Sequence, residues 1–311
     1  MSKYCFGVDI GGTTVKMGFF NTEGEVLDKW EIPTRTENGG ENILPDVAKA
    51  ILAKMEEKGV SKEDVAGVGV GAPGPIDADG VVHVAVNLGW GVFNIEETLA
   101  KLTGMSVKAG NDANVAALGE MWKGGGQGHN DLVAVTLGTG VGGGIIVNGK
   151  MLTGATGAGG EIGHIHVDDN ESEACNCGNY GCLEQYASAT GITRLANRML
   201  AAVDTDSVLR QGEVNAKTVF DAVKAGDALA MEIAEEFGEC LGKALAAIAG
   251  VVNPEIFVIG GGVSKAGQVV LDYIRKYYVK YVFHGSRDAE FALATLGNDA
   301  GIFGAARLVL E

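Results

Sequence analysis

Basic residues are scarce. The 311-residue chain carries 24 lysines and arginines against 40 aspartates and glutamates, a formal net charge of −16. A surface of that sign repels other polyanions, which argues against nucleic acid or anionic lipid as an extended partner. It leaves room for a local anion site built from backbone amides. Long apolar runs are missing as well, since no stretch approaches the roughly 20 residues a membrane-spanning helix needs. The opening MSKYCFGVDI runs straight into a β-forming segment without a charged-then-apolar leader. The expectation is therefore a soluble, cytoplasmic chain with no membrane partner. Aromatics make up only 6%, yet hydrophobic residues reach 46%, enough for a sizeable core. A disulfide framework is excluded too: the 5 cysteines are odd in number and unevenly spaced. Cys5 and Cys240 stand alone in apolar surroundings and read as small buried hydrophobes. Cys175, Cys177 and Cys182 crowd together, and in a reducing compartment such a cluster points to metal.

What is abundant is glycine, 49 residues of it, clustered in short runs between apolar stretches where a backbone must turn tightly or approach something closely. YCFGVDI (4–10), GGTT, VKMGFF and NTEG read as strand, glycine-rich turn, strand and turn. LVAVTLGTGVGGGIIVNG (132–149) repeats that design, which suggests a duplication with two lobes facing across a cleft. Helical spacing runs through 41–58, and VAGVGVGAPGP (65–75) is a strand entering a loop. VKAGNDANVAALGEMW (107–122) is a strand, a turn and a helix beginning near Asp112. Residues 217–250 are mostly helical, EIFVIGGG (255–262) is a buried strand, and GIFGAARLVL is a last helix returning to the first lobe. The expected fold is α/β and two-lobed. Residues 1–117 plus 300–311 form a small lobe, and 118–299 form a large one.

The glycine turns are candidate phosphate cradles. Asp9 ends the first strand ahead of Gly11, Gly12, Thr13, Thr14 and Lys16. A carboxylate there can hold Mg²⁺ through water, while bare amides and hydroxyls face phosphate oxygens. A plain hairpin with an aspartate in its turn is the competing reading. Gly138, Gly140 and Gly143 match G-x-G-x-x-G, but that dinucleotide fingerprint must open a helix. Here Ile145, Ile146 and Val147 follow, so Gly138, Thr139 and Gly140 read as a hairpin over a nucleotide phosphate. No G-x-x-x-x-G-K-[ST] is present, which excludes a P-loop enzyme. Gly260, Gly261 and Gly262 join a strand to a helix, either as a simple turn or as a close approach to adenosine.

C-x-C-x₄-C offers three thiolates, and a histidine upstream would complete a closed tetrahedral zinc site of structural type. His164 and His166 both compete for that fourth place. Metal on one imidazole nitrogen fixes the other as an N–H donor. Glu161 and Glu184 flank the cluster, so these carboxylates and the imidazole could form a polar wall for a polyol. Asp112 is a candidate general base, with Asn111 beside it to orient a hydroxyl. An N-cap role for Asp112 is the alternative.

In order, DIGGTTVK (9–16), GAPGP (71–75), NDAN (111–114), LGTGVGGG (137–144), EIGH (161–164), CNCGNYGCLE (175–184) and IGGGVS (259–264) resemble the ROK family. That family comprises sugar kinases and sugar-responsive repressors of the actin-like, ribonuclease-H-like superfamily. NLGW (87–90), NDANVAALGE (111–120) and LATLGNDAGIFGAARLVL (293–310) look closest to its bacterial glucokinases of Gram-positive type. The resemblance places the zinc ligand in EIGH, at His164, and makes Asp112 the base. It adds Gly74 and Asn87 to a sugar pocket with Asn111, Asp112, Glu161, His164 and Glu184. The repressor branch carries a DNA-binding segment ahead of the first glycine motif, for which residues 1–8 leave no room. The implied activity is ATP-dependent phosphorylation of glucose to glucose 6-phosphate, with ATP, Mg²⁺ and structural Zn²⁺, in a homodimer or dimer of dimers. Other readings are a kinase for N-acetylmannosamine, N-acetylglucosamine, mannose or fructose, a polyphosphate-dependent enzyme, a noncatalytic actin-like nucleotide switch, and a zinc-binding interaction module.

Overall fold

The computed structural model describes residues 2–310. The first elements are β1 (Tyr4–Ile10), β2 (Thr14–Asn21), β3 (Val26–Pro33), α1 (Glu37–Gly40), α2 (Ile43–Lys58) and β4 (Val65–Ala72). A small ribbon of β5 (Val81–Val82) and β6 (Phe93–Asn94) precedes α3 (Ile95–Thr103), β7 (Val107–Asn111) and α4 (Asp112–Lys123). Then come β8 (Leu132–Leu137), β9 (Val141–Val147), β10 (Lys150–Met151), α5 (Glu184–Ala187), α6 (Ala189–Ala202), α7 (Ala216–Lys224) and α8 (Ala228–Val252). The chain ends with β11 (Ile256–Gly260), α9 (Gly261–Ser264), α10 (Gln268–Tyr281), β12 (Glu290–Leu293) and α11 (Ala300–Leu308). Among the described residues no helix is long and apolar enough to cross a membrane.

Two five-stranded sheets share one plan. Their orders are β3-β2-β1-β4-β7 and β10-β9-β8-β11-β12. In the first, β1 and β3 each pair antiparallel with β2, while β4 joins β1 and β7 in parallel. In the second, β9 and β10 are antiparallel, and β11 is parallel to both β8 and β12. The residue pattern explains each place. β4 and β11 are apolar and almost wholly buried, as strands with neighbours on both sides and layers on both faces must be. β3 alternates between half-buried and exposed along its whole length, the signature of an edge with one face in water. Asn148 and Gly149, both at positive φ, close β9 onto β10 in the tight turn expected of Asn-Gly.

The chain divides into two compact units, one of Met1–Gly128, Gly144–Gly160 and Leu296–Glu311, the other of His129–Gly143 and Glu161–Thr295. The boundaries read from sequence, 117/118 and 299/300, fall inside α4 and at the start of α11. In the first unit, Phe6, Val8, Ile10, Val68 and Val70 of the central strands bury against Ile43, Val47, Ile51 and Met55 of α2. On the other face Cys5 and Phe20 meet Ile302 and Ala306 of α11. Glycines set how close that helix comes. A Cβ at Gly69 would lie 1.7 Å from Ala305 O, and one at Gly304 would lie 1.6 Å from Val115 O on α4. In the second unit the long α8 packs along α10, and Phe257 of β11, Phe291 of β12 and Tyr278 of α10 form an aromatic cluster. Cys240 on α8 is only partly buried, unlike Cys5, because it sits at the margin of that helix's buried stripe.

Candidate active site

In the first unit the end of β1 turns through Gly11, Gly12 and Thr13 into β2, closed by Gly11 N–H donating to Thr14 O at 3.1 Å. Thr34 clamps the turn from β3: its amide donates to Thr13 O at 2.9 Å and its hydroxyl to Gly11 O at 2.7 Å. Space around the Gly12 Cα is open. Asp9 pairs in register with Lys16, whose ammonium donates to Asn298 O at 3.1 Å. Asp9 also abuts Gly301 in the first turn of α11, where an added Cβ would lie 2.5 Å from the Asp9 Cγ. Burial first, then the Asp112 charge, push the Asp9 carboxyl up to about 6 against the pull of Lys16.

Asn111, not Asp112, caps α4. Its Oδ1 accepts from the amides of Ala113 at 3.0 Å and Asn114 at 3.2 Å, and its Nδ2 donates to Gly74 O at 3.1 Å. Asp112 is the first helical residue, and its Oδ1 takes the Ala113 amide at 2.8 Å. The capping alternative raised for Asp112 thus falls to its neighbour, whose carbonyl is spent on the helix. Burial raises the Asp112 carboxyl above the usual carboxylate range, opposed by the Ala113 amide and Asn111. Desolvation outweighs the preference a helix N-terminus has for a charged carboxylate. Gly74 sits at φ +91°, and a Cβ there would lie 2.4 Å from Val84 O. Asn87 is exposed in a short turn, Val86–Leu88.

In the second unit Gly138, Thr139 and Gly140 form the β8–β9 turn, with Gly138 N–H donating to Gly140 O at 3.0 Å. A strand follows it, as the rejection of a dinucleotide fold requires. Glu184 opens α5 and presses on the turn: a Cβ at Gly140 would lie 2.4 Å from its Oε2. Its Oε1 accepts from Cys175 Sγ at 2.9 Å and lies 3.9 Å from His164 Nδ1. The other imidazole nitrogen, Nε2, is 4.0 Å from Glu161 Oε2.

One ligand atom from each of His164, Cys175, Cys177 and Cys182 gathers so that all four lie within 4.8 Å of one another. Cys175 Sγ is 3.8 Å from His164 Nδ1, and the Cys177 and Cys182 sulfurs are 3.6 Å apart. A tetrahedral zinc site with three sulfurs and one nitrogen has edges of about 3.5–3.8 Å, which these two separations match, and the donor types suit that ion. His166 does not join the group. Its Nδ1 and Nε2 lie 2.9 Å from Tyr180 O and from Asp169 Oδ1.

The third glycine run is tight at one position. Gly261 has φ +84°, and a Cβ there would lie 2.5 Å from Leu137 O. Its close approach is therefore to the neighbouring strand. Among the described residues Gly262 has nothing within 4 Å of that position, so it stays open to a ligand. Asn114 belongs to the NDAN motif and has no role legible in the sequence. In the structure it is 2% exposed and donates from Nδ2 to Gly159 O at 3.0 Å. Its signal was an asparagine inside a helix, where this side chain is usually unfavourable.

Two sheets of identical strand order, each led by a glycine-rich hairpin, define an actin-like, ribonuclease-H-like kinase fold. The chain matches the ROK family over residues 5–311 and belongs to it. It is 47% identical to a glucokinase of Halalkalibacterium halodurans, over 99% of this chain and 96% of that protein. Among solved structures it is similar to a ROK glucokinase from Streptomyces griseus in complex with glucose and AMPPNP, at 36% identity and TM-score 0.73, covering 98% of each chain. A ROK hexokinase from Thermus thermophilus is 32% identical with TM-score 0.77, covering 98% of this chain and 97% of that one.

Proposed function

We propose that this chain is a sugar kinase that transfers the γ-phosphoryl group of ATP to the 6-hydroxyl of glucose. The observation that carries this reading is its nearly full-length similarity to glucokinases, one of them solved with glucose and an ATP analogue. The hydroxyl oxygen attacks the γ-phosphorus, the bond from that phosphorus to the ADP oxygen breaks, and the hydroxyl proton passes to Asp112. A buried carboxylate with raised proton affinity suits that task, provided it is ionised before attack.

In this reading Glu161 and Glu184 accept from sugar hydroxyls and His164 Nε2 donates to one, while Gly74, Asn87 and Asn111 border the sugar. Gly11, Gly12, Thr13, Thr14, Lys16, Gly138, Thr139 and Gly140 offer donors to the phosphate chain. Gly261 and Gly262 border the adenosine. His164, Cys175, Cys177 and Cys182 would hold zinc, which when bound fixes the imidazole tautomer and the wall around it. Asp9 would hold Mg²⁺ through water, and that ion neutralises phosphate charge.

The test is ADP release with ATP across a panel of hexoses and amino sugars, alongside direct measurement of sugar phosphate formed with polyphosphate. Glucose with ATP is expected to give the highest kcat/KM. Asp112→Asn should lower kcat by about 10²–10⁴-fold while leaving sugar affinity largely intact. Absence of phosphorylation for every sugar would sink the kinase reading, and near-normal turnover by the variant would sink the base assignment.

A further inference from the structure

Asn114 is buried on the first turn of α4, two residues beyond Asp112, and its amide is only half satisfied. Nδ2 donates to Gly159 O at 3.0 Å and reaches Asn111 Oδ1 at 3.5 Å. Oδ1 is buried with no hydrogen-bond partner among the described residues. Turning the amide over would set its oxygen against two carbonyl oxygens, so the donor must face them. Burying an amide with an empty acceptor lowers stability, and an apolar side chain of this shape would not carry that cost. Asn114 therefore needs an explanation other than packing.

Its partner supplies one. Gly159 lies in the segment after β10, two residues before Glu161. The same segment is pressed onto the Gly74 loop, where a Cβ at Gly157 would lie 2.5 Å from the backbone of Ile76. Gly144, which precedes it in β9, lies against the same turn of α4: a Cβ there would be 2.8 Å from Ala113 O and 3.1 Å from Asn114 Cα. The segment thus touches the loop after β4 on one side and the catalytic turn on the other. Asn114 makes the side-chain hydrogen bond that ties it to that turn.

We infer that Asn114 is a positioning residue that ties the backbone leading into Glu161 to the turn bearing Asn111 and Asp112, and so sets the sugar-binding geometry. It acts through Asn111 and Gly159 and touches no substrate. The inference rests on the sugar-kinase reading, and its test separates the two: a wild type inactive on every sugar fails that reading, whereas an active wild type matched by the variant fails only this one.

The experiment compares wild type with Asn114→Leu, which keeps the branching and heavy-atom count and removes both the donor and the empty acceptor. Thermal midpoint and zinc content are measured with KM and kcat for sugar and for ATP. The expected result is an unchanged or higher midpoint, unchanged zinc and ATP KM, and a sugar KM raised about tenfold to a hundredfold, since small misplacements of binding groups cost that much. Amide hydrogen exchange at Gly160 and Glu161 should quicken in the same variant. If the leucine variant does not fold, Asn114→Ala is scored by the same criteria. A folded variant with wild-type sugar KM and kcat overturns the inference, as does an equal rise in sugar and ATP KM.

Discussion

Asp9 is set in a place that resists its charge. It stands at a strand end under α11, faces the Asp112 carboxylate, and has Lys16 as its nearby cation. A folded-state value of about 6 against an ordinary 3.8 means the native protein holds a proton that the unfolded chain has already lost. Stability therefore falls as pH rises from about 4 to about 6, and the loss, about 3 kcal/mol at most, is complete above that window. Asp9→Asn should remove this slope. In urea unfolding the variant should gain over wild type at pH 7 and lose the gain near pH 4. Equal pH dependence in both proteins would show that the carboxylate ionises without strain. A bound magnesium ion would relieve the same strain, so metal and nucleotide binding should release a proton below pH 6. Asp112 shares the burial, and which of NDAN's polar residues caps the helix was not legible in sequence. Asp, Asn and Asn suit that role almost equally, and backbone geometry gives it to Asn111.

At the scale of elements, strands were readable where apolar runs end in glycine, as in β1, β4, β8 and β11. Those residues have few ways to bury themselves other than a sheet interior. Helix α3, helix α6 and strand β12 were not read. The last is EFAL, one exposed residue and three half-buried ones with no alternation, so only its neighbour β11 makes it a strand. Helix α11 was readable as apolar, but its closeness to α4 was not. Glycine in a helix is usually a weakness of about 1 kcal/mol relative to alanine. At Gly304 the sign reverses, because a methyl group would overlap the Val115 carbonyl at 1.6 Å. Gly304→Ala should lower stability by about 1–3 kcal/mol or more, as overpacking does, and a midpoint equal to wild type would show that the helices can part freely. The loop bearing Cys175, Cys177 and Cys182 is a second element, one that a zinc ion would order if it binds there. Metal analysis should find one zinc per chain. Its loss in Cys177→Ser should weaken sugar binding about tenfold or more. Unchanged sugar affinity in a metal-free variant would reduce the ion to a local staple.

For the whole molecule, the sequence shows the duplication only in its opening hairpins. The two sheets carry it much further, since both order their strands third, second, first, fourth, fifth. VAGVGVGA in β4 and IFVIG in β11 occupy equivalent places with little in common beyond being apolar. A buried parallel strand asks for apolar residues without fixing which ones, so a repeat of fold can outlast a repeat of letters.

The crossing of α11 over β1 and β4 has a consequence for how the protein is made. A ribosome delivers residues 1–128 early, yet the helix that covers Gly7, Gly69 and Cys5 follows only after all segments of the second unit. The first unit to be synthesised is thus the last able to finish folding. Until that helix emerges, one face of its sheet is bare apolar surface, while the unit spanning His129–Gly143 and Glu161–Thr295 already has all its segments. Nascent chains should be most vulnerable to proteases and most attractive to chaperones along that uncovered face.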